Sequence, residues 1–522
     1  MGRLRSGADA LRQAGGPRGA ERDEGVRSCG QRLGRQDRRG GVQQDKVRDS
    51  EDQVQDRRAE EEGGGPQEPA EDDLQDHHAL GARRGVLPAA QVAAEHRRSQ
   101  AGGAREEDHA GGAGALGVRG ALPLQAADEE GGAAAVKQTT EGNQGTEFEF
   151  ELRYDLWRLA TFVPNERYPV HRWFHFKEGF SRDLVELLAR RFGLEEGDVV
   201  LDPFVGSGTT PLTCMELGLE GIGIDASPLM VMISLAKTRR YDPEALERHA
   251  VRVVERARLV HELGSLNPLV RKAFRPDVLK EVLGVREEVI SVEDEDARLF
   301  LTLALMRAAM SCSYAVKDGS VIRIERRPIP PFRKVLRSTI RSMIEDVRRI
   351  SLRSGPAQIF LGDAREMSLI GDETVDAVIT SPPYLNKIEY TRVYEIELEL
   401  FAGGAKPELL RSYIGLSPRI RKVSPEAEGL PDSAIAYFID MEQSLREIMR
   451  VLRAGGKAAL VVSGGVYPNT VVEVDLILAR MARRLGFHVE RILALGKRVA
   501  TYGRVHRIGE SRESAVMLRK EG

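Results

Sequence analysis

The sequence predicts an α/β fold built on a mostly parallel sheet, and three observations predict it. A short apolar run, Val199-Val200-Leu201, leads into the glycine turn Asp202-Pro203-Phe204-Val205-Gly206-Ser207-Gly208-Thr209-Thr210, and an amphipathic segment from Pro211 to Leu219 follows. That is the pattern of strand, tight turn and helix. A second strand, Gly221 to Asp225, comes directly after and ends in an acid. The alternation resumes much later with Ala357 to Asp363 and Val375 to Thr380. Strands separated by helical stretches argue for crossover units and parallel pairing.

Length and composition bound the rest. At 522 residues the chain has room for about three domains of ~150 residues. The net charge of −3 excludes a global nucleic-acid signature, so any basic surface must be local. The three cysteines, Cys29, Cys214 and Cys312, lie far apart. They suggest no disulfide framework and no Cys-rich zinc site, which fits a reducing cytoplasm. No metal site is expected. No apolar run reaches the ~18 residues of a membrane span, and the first thirty residues lack a signal-peptide core.

Residues 1–145 read as a disordered or artefactual low-complexity tail. Up to residue 140 there is no Ile, Phe, Tyr, Trp or Asn. Without that bulk a segment cannot bury enough surface to offset chain entropy. After Met1 the next methionine is Met215, and the bias resembles GC-rich sequence translated in the wrong frame.

Residues 146–240 read as a ligand-binding half. Trp157, Phe162, Tyr168, Trp173, Phe174 and Phe176 cluster at its start, and Ser181 can cap a helix carrying Leu184, Leu187, Leu188 and Phe192. His171 and His175 lack a third ligand and read as packing or surface residues. In the glycine turn, Gly206 and Gly208 let the backbone bend sharply and approach a ligand. Helix-start N–H groups there favour an anionic or polar group. A Walker loop would need a lysine that is missing, and a dinucleotide fingerprint would need a third glycine. Asp225 can accept the two hydroxyls of a ribose or simply cap the next helix.

Residues 241–355 read as a helical insertion, with helices over Pro243–Leu263, Ala297–Met310 and Pro331–Ile350 and a short hairpin strand at Ser320–Glu325. Its Arg323, Arg326, Arg327, Arg333, Lys334, Arg337 and Arg341 are either a solvated helix face or a phosphate-contacting surface. Residues 356–522 hold the second half. There the strand ending at Thr380 runs into Ser381-Pro382-Pro383-Tyr384.

The string DPFVGSGTT resembles motif I of the DNA amino-methyltransferases, and SPPY resembles their catalytic tetrapeptide. His175-Phe176-Lys177 with Phe180-Ser181 is similar to their motif X. The resemblance covers roughly residues 170–520. It implies a Rossmann-like class I methyltransferase fold with a mostly parallel seven-stranded sheet and a helical insertion. It implies S-adenosyl-L-methionine as cofactor, held by Phe180, Ser181, Asp202, Pro203, Phe204, Gly206, Gly208, Thr209, Asp225 and Asp363. Asp363 would read the adenine. It implies Ser381, Pro382, Pro383 and Tyr384 as the catalytic group.

The chemistry of that tetrapeptide follows from residue types. The exocyclic amine of a base is a poor nucleophile while its lone pair is delocalised into the ring. Ser381 offers one acceptor for the amino hydrogens. Pro382 has no N–H and presents its carbonyl as a second. Tyr384 offers a face on which a flipped base can stack, worth roughly 1–3 kcal/mol. That is comparable with the cost of unstacking a base. Cytosine C5 chemistry needs a cysteine nucleophile, and neither Cys214 nor Cys312 sits in the matching context. The family tends to place Ser first for cytosine N4 and Asp for adenine N6, so the resemblance favours cytosine. Adenine N6, an RNA base, or a catalytically silent nucleic-acid-binding module are the other readings.

The rest of this half completes the pattern. Tyr390, Arg392 and Tyr394 follow close to the expected base pocket. A basic loop carries Arg411, Ser412, Tyr413, Arg419, Arg421 and Lys422. A helix over Ala434–Leu452 stops at Arg453-Ala454-Gly455-Gly456-Lys457. A strand over Ala458–Val462, a helix over Val471–Leu485 and strands over His488–Leu495 and Ser514–Leu518 close the sheet. The basic tip between those last strands reads as a phosphate contact. DNA is the expected partner. The oligomeric state and any cognate nuclease are left open.

Overall fold

The computed structural model describes residues 147–318, 321–385, 390–403, 424–467, 470–502 and 506–522. The low-complexity tail, Ser320 and the basic loop of Arg411 to Lys422 fall outside the described residues.

The glycine turn lies where the sequence puts it. Strand β2 (Val199–Asp202) feeds helix α2 (Thr209–Leu217), which begins two residues before the expected Pro211. Gly206 and Gly208 both adopt positive φ, +50° and +79°, which an L side chain rarely does. Ahead of them, helix α1 (Arg182–Phe192) is capped by the Ser181 hydroxyl, which accepts from the Leu184 amide, and ends on Gly193 in the left-handed region.

Strand β3 (Glu220–Asp225) and helix α3 (Pro228–Thr238) follow. The insertion then contributes α4 (Pro243–Arg256), α5 (Pro268–Ala273), α6 (Pro276–Ile290), α7 (Glu295–Ser311), the antiparallel hairpin β4 (Ala315–Asp318) and β5 (Val321–Ile324), and α8 (Phe332–Arg349). Its helices share one apolar core with α3, through residues such as Phe300, Leu303, Phe332 and Met343 against Ile233 and Leu235.

The chain returns with β6 (Gln358–Leu361), β7 (Val375–Thr380), α9 (Tyr390–Val393) and α10 (Glu395–Phe401). Then come α11 (Asp432–Val451), β8 (Leu452–Ser463), the small hairpin β9 (Gly465–Tyr467) and β10 (Thr470–Val472), and α12 (Val474–Arg484). Strands β11 (Phe487–Tyr502) and β12 (His506–Lys520) end it.

With β1 (Phe150–Leu152) at one edge, the main sheet has the order β1-β11-β12-β8-β7-β2-β3-β6. Every neighbouring pair is parallel except those made by β12, which runs antiparallel to both β11 and β8. This is the class I methyltransferase arrangement with one addition. The sheet has eight strands rather than the expected seven, because β1 (Phe150–Leu152) pairs in parallel with β11. Three residues of edge strand carry too little periodicity to be read from sequence.

Two other expectations change. Arg453 to Lys457 does not sit between helix and strand. β8 begins directly at Leu452 and bulges, so that Val375 and Ala377 of β7 face Leu452 and Lys457. Strands β11 and β12 also run well beyond the expected His488–Leu495 and Ser514–Leu518 as one long ribbon.

Helices cover both faces. On one face α11 and α12 bury Phe438, Leu445, Ile448 and Leu478 against Leu201, Val378 and Leu460. On the other, α1 buries Leu184, Val185 and Leu188 against Val200, Ile379 and Val461. Among the described residues no helix is long and apolar enough to cross a membrane.

Candidate active site

The strand order reverses at β2. From there the chain builds outward through β3 and β6, then crosses back to β7 and β8 on the other side. In open parallel sheets that switch point, at the carboxyl ends of the strands, is where ligands sit. An open-sided cleft of about 760 Å³ lies there, lined by Pro203, Phe204 and Gly206 after β2, and by Asp225, Ala226, Ser227 and Met230 around the end of β3. Asp363 and Ala364 after β6 and Ser381 and Pro383 after β7 complete that wall, and Phe176, Glu178, Tyr394 and Leu398 face them.

The glycine turn is drawn back onto α3. Ser234 Oγ donates to Gly206 O at 2.8 Å and Lys237 Nζ donates to Ser207 O at 2.7 Å. A Cβ on Gly206 would come 2.7 Å from the Phe176 ring, and one on Gly208 would press on Ser234 at 3.1 Å. Gly206 therefore keeps the cleft open, whereas Gly208 lets α3 pack under the turn. Lys237 is buried, which pushes its amine down to about 7.

Asp225 is held from two sides. Its Oδ2 accepts from the Gly206 amide at 2.9 Å and its Oδ1 from the Ser227 amide at 2.8 Å. Burial raises its carboxyl to about 6 despite both bonds. The carboxylate is thus fixed in orientation on the cleft wall, where each oxygen can accept a further hydroxyl. The cradle at Gly206, the fixed acid and the aromatic faces of Phe176, Phe204 and Tyr394 fit a nucleoside carrying a positively charged sulfur.

Asp202 and Asp363 have other attachments. Asp202 is 2 % exposed and is not on the cleft wall. It accepts from Thr380 Oγ1 at 2.5 Å and from the Phe204 amide at 3.1 Å, and burial raises its carboxyl to about 6. Asp363 is on the wall, gripped by Arg365 at 2.6 Å through Oδ2, and Arg365 also reaches Asp440 at 3.0 Å. An adenine would meet an acid already neutralised by a guanidinium.

On the tetrapeptide side, no described residue bonds the Ser381 hydroxyl, which leaves it as a free acceptor. Pro382 is buried and not on the cleft wall, whereas Pro383 is. Tyr384 is half-buried, and its hydroxyl donates to Glu513 Oε1 at 3.0 Å, which ties it to β12.

The structure brings Pro203, Phe204, Gly206, Asp225, Asp363, Ser381 and Pro383 to one cleft, and places the other named residues elsewhere. Phe180 packs in the core under α1, and the Ser181 hydroxyl is spent on Leu184 N and Leu159 O. Thr209 is buried beside Asn165 at 3.5 Å. Phe176 and Glu178 take the wall position expected of Phe180 and Ser181. Glu178 lies in the gap between Lys177 and Phe180, and nothing in its local pattern marks it as wall rather than surface. Of the two histidines, His171 is buried. Its Nε2 stands 3.5 Å from Glu216, too far for a good hydrogen bond, and burial lowers its pKa.

The inserted basic residues are dispersed. Arg333 bonds the carbonyls of Val254 and Ala257, Arg323 pairs with Asp318, and Lys334, Arg337 and Arg341 are exposed on α8. On the β11–β12 ribbon Lys497 pairs with Glu510, and Arg498 with Glu513 at 2.8 Å.

A family profile described as DNA methylase matches residues 126–235. The type II methyltransferase M.BsoBI of Geobacillus stearothermophilus is 25% identical over 437 residues, covering 67% of this chain and 86% of the relative. M.AvaI of Nostoc sp., also a type II methyltransferase, is 26% identical over 422 residues, covering 66% and 86%. Among solved structures, a putative DNA modification methylase from Thermus thermophilus, complexed with S-adenosyl-L-methionine, aligns at 22% identity. That alignment covers 31% of this chain and 54% of the other, with a TM-score of 0.20.

Proposed function

The chain belongs to the DNA amino-methyltransferase family, and from that premise we propose that it methylates the exocyclic N4 of a cytosine flipped out of duplex DNA. One observation carries the reading: the glycine turn and the Ser-Pro-Pro-Tyr string, far apart in sequence, open onto a single cleft through Gly206, Asp225, Ser381 and Pro383. Bound there, S-adenosyl-L-methionine would supply an electrophilic methyl group for the amino nitrogen.

The chain's own residues do the rest. Asp225, ionised, accepts the ribose hydroxyls. Gly206 admits the nucleoside without a Cβ in the way, and Phe204 and Phe176 offer apolar faces. Ser381 Oγ accepts an amino hydrogen, whereas Pro382, expected to offer the second acceptor, is buried off the cleft wall. Holding an amino hydrogen draws the nitrogen's lone pair out of conjugation and toward the cleft. Cytosine is preferred because Ser rather than Asp stands first in the tetrapeptide. Tyr384, the ring expected to stack on a flipped base, lies off the cleft wall with its hydroxyl tied to Glu513.

The test is direct. The full chain is incubated with methyl-labelled cofactor and duplex DNA, and DNA from cells expressing it is sequenced at base resolution. N4-methylcytosine in one sequence context is the expected result. N6-methyladenine in its place overturns the choice of base. Label in RNA alone, or in neither nucleic acid, overturns the DNA reading.

A further inference from the structure

Three segments remote in sequence meet at Tyr394. Its hydroxyl donates to Glu178 Oε2 at 2.9 Å. Its ring packs beside Phe174 and Phe176, with centroids 5.8 and 6.0 Å away. Lys317, from strand β4 of the insertion, holds its ammonium 3.6 Å from the centre of the Tyr394 ring. The same ammonium pairs with Glu397 Oε1 of α10 at 2.5 Å.

These residues divide two spaces. Tyr394 and Glu178 line the cofactor cleft. Lys317 and Glu397 line a second, solvent-open groove, together with Phe174, Arg172 and Arg307. The Tyr394 ring is therefore a partition, touched by the insertion on one side and by the cleft on the other. Glu397 is 2 % exposed, and its second oxygen has no hydrogen-bond partner among the described residues. Lys317 compensates a buried charge while lying against an aromatic face, where a desolvated cation binds more strongly than an exposed one. The hairpin cannot shift without uncovering Glu397 and releasing the ring.

We propose that Tyr394 is a positioning residue that couples the cofactor cleft to the inserted β4–β5 hairpin. A ligand that settles against the ring and Glu178 steadies Lys317 and the hairpin. By reciprocity a steadied hairpin tightens the ligand by the same factor. The inference rests on the reading of the cleft as the S-adenosyl-L-methionine site.

Two measurements on the full chain test it: cofactor affinity by calorimetry, and hydrogen exchange of Ala315–Asp318 and Val321–Ile324 with and without saturating cofactor. In the wild type, cofactor slows exchange across the hairpin. Tyr394→Leu weakens binding about fivefold or more, the lower end of typical couplings, and abolishes the hairpin response. Lys317→Met combined with Glu397→Gln removes both charges of the pair together, so the fold is not left with an unpaired one, and gives the same two losses. Lys317→Arg keeps the cation and restores both. Tyr394→Phe keeps the ring and the hairpin response. A wild-type hairpin indifferent to bound cofactor overturns the coupling, as does a double variant that binds and responds like wild type. Failure of the wild type to bind the cofactor at all overturns the cofactor reading with it, and so is told apart from failure of the coupling alone.

Discussion

The Thr380 hydroxyl donates to the Asp202 carboxylate at 2.5 Å, and this bond ties the strand that starts the glycine turn to the strand that delivers Ser381. A second tie runs beside it, from Thr210 Oγ1 to Ile379 O at 3.2 Å. β2 and β7 are also paired in register, Val200 with Ala377 and Leu201 with Val378. Asp202 is thus a clamp between the two halves of the site rather than a ligand contact. Thr380→Val removes a donor from a fully buried acid. We expect a loss of about 1–3 kcal/mol in urea unfolding, the usual cost of an unsatisfied buried group. Asp202→Asn keeps the shape and should cost less. Equal stability for Thr380→Val and wild type would show that the clamp carries no energy.

Gly206→Ala should block the cleft. The position has φ +50° and the new Cβ would meet the Phe176 ring at 2.7 Å. The backbone strain alone is about 1–2 kcal/mol. Calorimetry with the cofactor should show binding lost while circular dichroism shows the fold kept. Gly208→Ala should act differently, through pressure on Ser234 and α3, and lower the melting temperature more than it alters the cleft.

Ser381→Ala should leave cofactor affinity within about twofold and cut turnover by roughly 10²–10³, the range for removal of one group that places charge in a transition state. Single-turnover methylation beside calorimetric binding separates the two effects. Loss of binding together with loss of rate would mean that Ser381 supports the cleft and not the amine.

Cofactor affinity should fall in acid. Burial raises the Asp225 carboxyl to about 6, and only the ionised form accepts both ribose hydroxyls. The dissociation constant should rise about tenfold between pH 7 and pH 5. The sign for folding is opposite. The raised folded values of Asp202 and Asp225 contribute stability below the unfolded value near 3.8, and that contribution is lost as pH rises through about 6. Apo protein should therefore gain relative stability from these two acids where cofactor binding weakens. Asp225→Asn should flatten the binding profile.

The residue types of the chemistry were legible along the chain. The turn that approaches a ligand needs its glycines at fixed offsets, and the acid of β3 follows one strand–helix unit later. The serine and prolines stand at the end of an apolar strand. These signals are local, so a nine-residue and a four-residue string carry them. Helices such as α7 and α11 were legible for the same reason, since an apolar stripe at helical spacing is a property of consecutive residues. The three-residue edge strand β1, the bulge in β8 and the length of the β11–β12 ribbon were not, because each depends on what lies alongside in the sheet.

What the sequence by itself determined was the class of fold, the alternation of strand and helix around the two motifs, and the methyl-donor cofactor to which those motifs point. What only the tertiary structure decided was which of the named residues touch the cleft. Asp202 turned inward to Thr380, Ser181 was spent as a cap, Tyr384 was tied to Glu513, Glu178 came in from a segment whose local pattern did not mark it as wall, and Tyr394, expected near the base pocket, closed the cleft opposite the glycine turn. The physical reason is that a polar side chain goes where its hydrogen bonds are best satisfied, and its partner there can lie far along the chain, 178 positions for Thr380 and Asp202 and 216 for Tyr394 and Glu178.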